Sequence, residues 1–97
     1  MASKNRQIQG LAQFFRILGD PSRLMILQAL GGGELNVTQL CRKLRMSQPT
    51  VSRHLSLLKM SSIAEARRDG KEIYYTILPA KRRALKSLIE RGGSILK

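Results

Sequence analysis

This chain of 97 residues is poor in cysteine, tryptophan and acidic residues: one Cys, no Trp, and six Asp or Glu. The lone Cys41 excludes an intramolecular disulfide and a cysteine-rich zinc site. No apolar run approaches the roughly 20 residues that a membrane-crossing helix needs. Met1 to Gly10 lacks the apolar core of a secretory signal, so the cytoplasm is the expected compartment and no membrane partner is expected. Aromatics are scarce, with two Tyr and two Phe. A chain this short builds one small core rather than two, which predicts a single domain over residues 1–97 and a second copy of the chain as a stabiliser. With His54 as the single histidine, no Ser, Cys or Thr nucleophile has a credible base and acid beside it. The glycine run Gly31-Gly32-Gly33 lacks the Lys and Ser/Thr of a phosphate-binding loop and reads as a flexible link. Neither an enzyme nor a cofactor is expected.

Cations are abundant. Eighteen Lys and Arg against six acids give a formal charge of +12, while apolar residues make up 42% of the chain, enough for a folded domain. Such an excess on so small a body points to a polyanionic partner, nucleic acid ahead of an anionic membrane surface, and the pattern along the chain must choose between them.

Punctuation at Gly19-Asp20-Pro21, Gly31–Gly33, Met46–Pro49, Asp69-Gly70, Pro79 and Gly92-Gly93 divides the chain. Ile8, Leu11, Ala12, Phe15 and Leu18 have helical spacing. Asp20 caps a second helix with Pro21 in its first position and Leu24, Ile26, Leu27 and Leu30 as its apolar residues. Asn36 and Gln39 form a capping box for a third helix, whose stripe is Val37, Leu40, Cys41 and Leu44. Ser47 caps a fourth, with Val51, Leu55 and Leu58 inward. Ile73, Tyr75 and Ile77 then alternate with Tyr74 and Thr76 as a strand. Ile63 to Arg67 is a weaker strand, and Asp69-Gly70 is the two-residue hairpin turn between them. A fifth helix follows Pro79, with Ala84, Leu85, Leu88 and Ile89 on one face, and ends near Gly92. Four helices, a basic hairpin and a last helix predict a mainly α fold with a small β-hairpin: a winged helix-turn-helix, its turn at Arg45-Met46-Ser47.

The stretch Phe14 to Leu27, which contains Leu18-Gly19-Asp20-Pro21-Ser22-Arg23, resembles the opening of the arsenic-repressor-like (ArsR/SmtB) regulators. Leu44 to Leu55 resembles that family's recognition helix, and Arg67-Arg68-Asp69-Gly70-Lys71 followed by Tyr75 resembles its wing. The resemblance implies a homodimeric repressor in which the first and last helices pair and two recognition helices read a palindromic operator in double-stranded DNA. The family's metal-sensing motif carries two cysteines on the third helix. Here that stretch reads Glu34-Leu35-Asn36-Val37-Thr38-Gln39-Leu40, with none. A second family site uses Asp and His on the last helix, and Lys81 to Arg91 contains neither. No metal ligand is therefore expected, and the effector is unassigned.

On the fourth helix, Ser47, Gln48, Thr50, Ser52 and Arg53 lie away from the apolar arc. Arg pairs bidentately with guanine and Gln with adenine, while Ser and Thr suit phosphates at a helix N-terminus. On the wing, Arg67, Arg68 and Lys71 are the candidate backbone contacts. His54, at the edge of the apolar arc, is expected to be half-buried and bonded to backbone. Cys41 is expected to pack inward, with a redox role as the lesser reading. The cations Lys81, Arg82, Arg83 and Lys86 read as a solvated face. Two other functions remain open: an architectural DNA-binding protein, and a winged helix that binds protein.

Overall fold

The computed structural model describes residues Ala2 to Leu96. Its elements, in order, are α1 (Ala2–Leu18), α2 (Pro21–Leu30), β1 (Leu35–Asn36), α3 (Val37–Leu44), α4 (Gln48–Met60), β2 (Ala64–Asp69), β3 (Glu72–Ile77) and α5 (Pro79–Leu96).

Local signals set most boundaries. The Asp20 carboxylate accepts from the backbone N–H groups of Ser22 and Arg23 at the start of α2, at 2.8 and 3.2 Å, with Pro21 in the first turn. Asn36 and Gln39 form the reciprocal capping box of α3, each bond 2.8 Å. Ser47 caps α4. The end of α4 is a Schellman motif in which Ile63 N–H donates to Leu58 and Ser62 N–H to Lys59, with Ser62 at φ 57°. Leu58 and Ile63, the apolar pair that accompanies this motif, are both fully buried.

The core joins Ile26 and Leu27 of α2, Leu40 of α3, Val51, Leu55 and Leu58 of α4, Ile63, and Leu85 of α5. These contributions come from α2, α3, α4 and α5, which share one core. Truncating any one of these leucines is worth about 2–5 kcal/mol.

Four features depart from the sequence reading. First, the sheet has three strands, in the order β1-β3-β2, because the two residues of β1 pair antiparallel with Tyr75 and Tyr74. A two-residue strand has no periodicity to read. Second, the hairpin register Asp69↔Glu72 makes Gly70-Lys71 the turn, one residue later than Asp69-Gly70. Gly70, at φ 64°, takes the first central position, where a II′ turn requires positive φ. Third, α5 runs through Gly92 to Leu96. Glycine permits a left-handed stop but does not compel one, and its cost inside a helix is only about 1 kcal/mol. Fourth, the triple glycine is not a free link. The N–H groups of Gly31, Gly32 and Gly33 donate back to the last turn of α2, and Gly33 reverses the chain at φ 137°.

The apolar stripe of α1 is only partly used inside the chain, in keeping with a first helix expected to pair with a second copy. Ile17 and Leu18 are buried, but Ile8, Leu11 and Phe15 are 61, 54 and 51% exposed. The stripe is present but faces away from this chain's own core.

Candidate nucleic-acid interface

The helix-turn-helix consists of α3, the turn 45–47 and α4. Arg45 closes α3 in the left-handed region at φ 56°, ψ 44°, and its N–H and that of Met46 both return to the Cys41 carbonyl. This tight closure lets α4 leave α3 after three residues. Val51, Leu55 and Leu58 anchor the inner side of α4. The helix therefore has a fixed rotation, and its outer side is set.

That outer side carries the candidates. Gln48 and Arg53 are exposed, and Ser52 and Thr50 are half-buried at its edges. Ser47 Oγ donates to Thr50 Oγ1 at 2.8 Å and accepts from the Thr50 N–H at 3.4 Å, so both hydroxyls are held at the helix start. Gln48 Nε2 donates to Ser52 Oγ at 3.0 Å, which lays the amide along the helix. Arg53 has no hydrogen-bond or ion-pair partner among the described residues and is the outer side's free fork of donors. The positive end of the α4 dipole adds to the attraction of this end for anions.

Behind α4, Arg23 ties three helices together. Its Nε donates to the Ile17 carbonyl at 2.6 Å, its Nη1 lies 3.8 Å from the Asp20 carboxylate, and the same Nη1 is 3.4 Å from His54 Nδ1. His54 is half-buried as expected, but its partner is this side chain and not backbone. Backbone bonds from Arg23 and Ser22, with the Arg23 charge, hold the Asp20 carboxyl below its ordinary pKa against the opposing effect of burial.

In the wing, Arg68 and Lys71 are exposed near the tip. Arg67 is arranged differently. Its Nη2 and Nε donate to the two oxygens of Glu34 at 2.6 and 3.2 Å, its Nη1 lies 3.8 Å from Asp69, and its guanidinium is 5.1 Å from the centre of the Tyr74 ring. The hydrogen bond from Arg67 holds the Glu34 carboxyl below its ordinary range, and Glu34 in turn raises Arg67. The sequence reading found Arg67 but missed Glu34, Tyr74 and Arg23.

Two of the cations at the start of α5 are engaged. Lys81 Nζ donates to the Ser62 carbonyl at 2.8 Å, and Arg82 reaches the Ile77 carbonyl at 3.3 Å. Cys41 is half-buried against the core. Among the described residues, no three His, Cys, Asp or Glu side chains gather where they could hold a metal ion, and no helix is long and apolar enough to cross a membrane.

A helix-turn-helix with a three-stranded wing and a polar outward α4 defines a winged helix-turn-helix protein of the DNA-binding kind. Comparison with known proteins assigns it more narrowly. The family model described as "Bacterial regulatory protein, arsR family" matches residues 20–65. An uncharacterised HTH-type transcriptional regulator of Methanocaldococcus jannaschii is 36% identical over 80 residues, which cover 81% of this chain and 90% of that one. The arsenical resistance operon repressor of Escherichia coli is 46% identical over 68 residues, covering 69% of this chain but only 58% of the repressor. Among solved structures, the homodimeric winged helix-turn-helix domain of a possible ArsR-family regulator from Mycobacterium bovis superposes with a TM-score of 0.83 at 30% identity, covering 94% of this chain and 84% of that one. The chain belongs to the arsR family of bacterial regulatory proteins, which are transcriptional regulators and not enzymes.

Proposed function

We propose that the protein is a homodimeric repressor that reads a palindromic operator, with α4 of each copy in a major groove and the wing on the adjacent backbone. The observation that carries this reading is the outer side of α4, where the unpaired Arg53 stands beside an aligned Gln48 and a capped, hydroxyl-bearing N-terminus. In this reading Arg53 and Gln48 meet base edges, Ser47, Thr50 and Ser52 meet phosphates or position their neighbours, and Arg68 and Lys71 meet the backbone beyond. Occupying a promoter in this way blocks transcription, and the DNA it reads places its work in the cytoplasm.

Dimerisation is supported by the exposed stripe Ile8, Leu11 and Phe15 on α1 and by the half-open Leu88 on α5. A two-fold operator requires a two-fold reader. The M. bovis relative is a homodimer. The E. coli relative is a repressor, but this chain spans little more than half of it.

The test is selection of duplex DNA from a random pool, followed by competition between the selected duplex and a scrambled one. A palindrome preferred by a thousandfold or so fits a sequence reader. Equal affinity for both duplexes marks an architectural protein. Binding that ignores salt marks a protein-interaction module, because phosphate contacts release counterions.

A further inference from the structure

We propose that Arg67 is a positioning residue, a strap that fixes the wing against the helix-turn-helix, and not a DNA contact. The proposal rests on the DNA-binding reading above and refines it.

Arg67 and Tyr74 are directly opposed across the β2–β3 ladder and so share one face of the sheet. From β2 the Arg67 side chain passes beside the Tyr74 ring and ends on Glu34, just ahead of the edge strand β1. One side chain thus links β2 and β3 to the residue that leads into β1. Its terminus is a two-point pair at 2.6 and 3.2 Å, the fork-to-fork geometry that fixes orientation as well as distance. Its remaining nitrogen faces Asp69 at 3.8 Å. The Nε–Nη2 edge, through which the guanidinium could hold a phosphate at two points, is taken by Glu34.

The surroundings oppose a phosphate as well. Alternation along the strands puts Glu65, Asp69 and Glu72 on the same face as Arg67 and Tyr74. With Glu34, that face holds four of the six acidic residues of a chain whose net charge is +12. A polyanion approaching there meets like charge. Arg68, one residue on, projects to the opposite face, and Lys71 sits in the turn.

The far end of the strap gives it a function. Glu34 lies between Gly33, where the chain reverses, and Asn36, which caps α3. The link therefore joins the wing to the entry of the helix-turn-helix. It sets the angle at which Arg68 and Lys71 reach the backbone while α4 is in the groove. An exposed pair adds little to overall stability, so its removal leaves the fold standing while the wing goes out of alignment.

The experiment uses full-length protein and a duplex selected by the wild type, with affinity measured over a range of salt. Wild type, Glu34→Gln, Arg67→Met and the double reversal E34R/R67E are compared, with circular dichroism as the fold control. Removing an acid from a DNA-binding protein ordinarily tightens binding, and here it would also free Arg67 for phosphate. The strap requires the opposite. Glu34→Gln should weaken binding about tenfold and flatten the salt slope by about 1 for each wing cation that no longer reaches a phosphate. Arg67→Met should match it, and the double reversal should restore affinity to within a few-fold. Tighter or unchanged binding by Glu34→Gln overturns the strap alone, as does a folded double reversal that stays as weak as Arg67→Met. A wild-type protein that selects no duplex overturns the DNA-binding reading and the strap with it.

Discussion

Arg23 of α2 meets His54 of α4, with Nη1 3.4 Å from Nδ1. Guanidinium only donates, so the hydrogen bond requires Nδ1 to be unprotonated. The same Arg23 holds the Ile17 carbonyl at 2.6 Å, so the end of α1 and the back of α4 share one anchor. Arg23→Ala should lower unfolding stability by about 1.5–3 kcal/mol, the worth of a charge-assisted bond to a partly buried carbonyl. Urea denaturation checks this. An unchanged midpoint would show that the anchor is incidental.

Arg53→Ala should weaken binding to the selected duplex by about 1–3 kcal/mol and broaden the range of sequences accepted. Arg68→Ala and Lys71→Ala should weaken all duplexes alike and flatten the salt slope by about 1 each. Competition between selected and scrambled DNA separates the two behaviours. If Arg53→Ala kept full sequence preference, base reading would have to lie elsewhere on α4.

Phe15→Glu should convert the proposed dimer to monomer at micromolar concentration. Phe15 is 51% exposed, so the folded chain tolerates the change, but an apolar interface leaves an isolated carboxylate unpaired. Sedimentation would show the smaller species, with helical content preserved. DNA affinity should fall steeply, because the two half-sites are no longer engaged together.

Ser62→Gly should stabilise the protein by about 0.5–1 kcal/mol. Ser62 occupies the left-handed C′ position at φ 57°, where a Cβ costs about 1–2 kcal/mol that glycine avoids, less the extra freedom of glycine in the unfolded chain. A rise in Tm of about 2–8 °C follows for a domain of this size. A fall would mean that Ser62 has a stabilising role beyond the cap.

Acid should destabilise the fold through Asp20 and Glu34. Both carboxyls are held below their ordinary values of 3.8 and 4.5, Asp20 first by the Arg23 backbone N–H and Glu34 first by the Arg67 side chain. A depressed pKa contributes stability that is fully present above the ordinary value and is lost as pH falls through the lowered one. Melting temperature should therefore hold level down to about pH 5 and drop below pH 4. Glu34→Gln should make that drop shallower. Equal acid limbs for the two proteins would show that the Glu34 pair adds no pH dependence.

The caps at Asp20, Asn36 and Ser47, the inner side of α4 and the start of α5 at Pro79 are all legible in the sequence. Each depends on residues within about four positions of one another, and local chemistry decides them. The outer side of α4 follows from the inner one, so Gln48 and Arg53 are legible too. The slipped hairpin turn shows the limit of such reading: Asp-Gly and Gly-Lys both satisfy turn chemistry, and the pairing of β2 with β3 chooses between them.

What the tertiary structure alone decided is how these local pieces meet. Arg67 and Glu34 are 33 residues apart, and Arg23 and His54 are 31 apart. No periodicity links such pairs, and the charge pattern around Arg67 reads as one more basic wing residue until the sheet brings Glu34, Asp69 and Tyr74 to it. The α1 stripe makes the same point from the opposite side. Its spacing declares an apolar face, but whether that face turns toward Leu85 and Ile63 or away from them depends on how much core the other helices have already filled. Ile17 and Leu18 complete that core, and Ile8, Leu11 and Phe15 lie beyond it. Sequence wrote the elements and their faces because these are short-range. Packing assigned each face its partner because burial is settled only when the whole chain competes for one small interior.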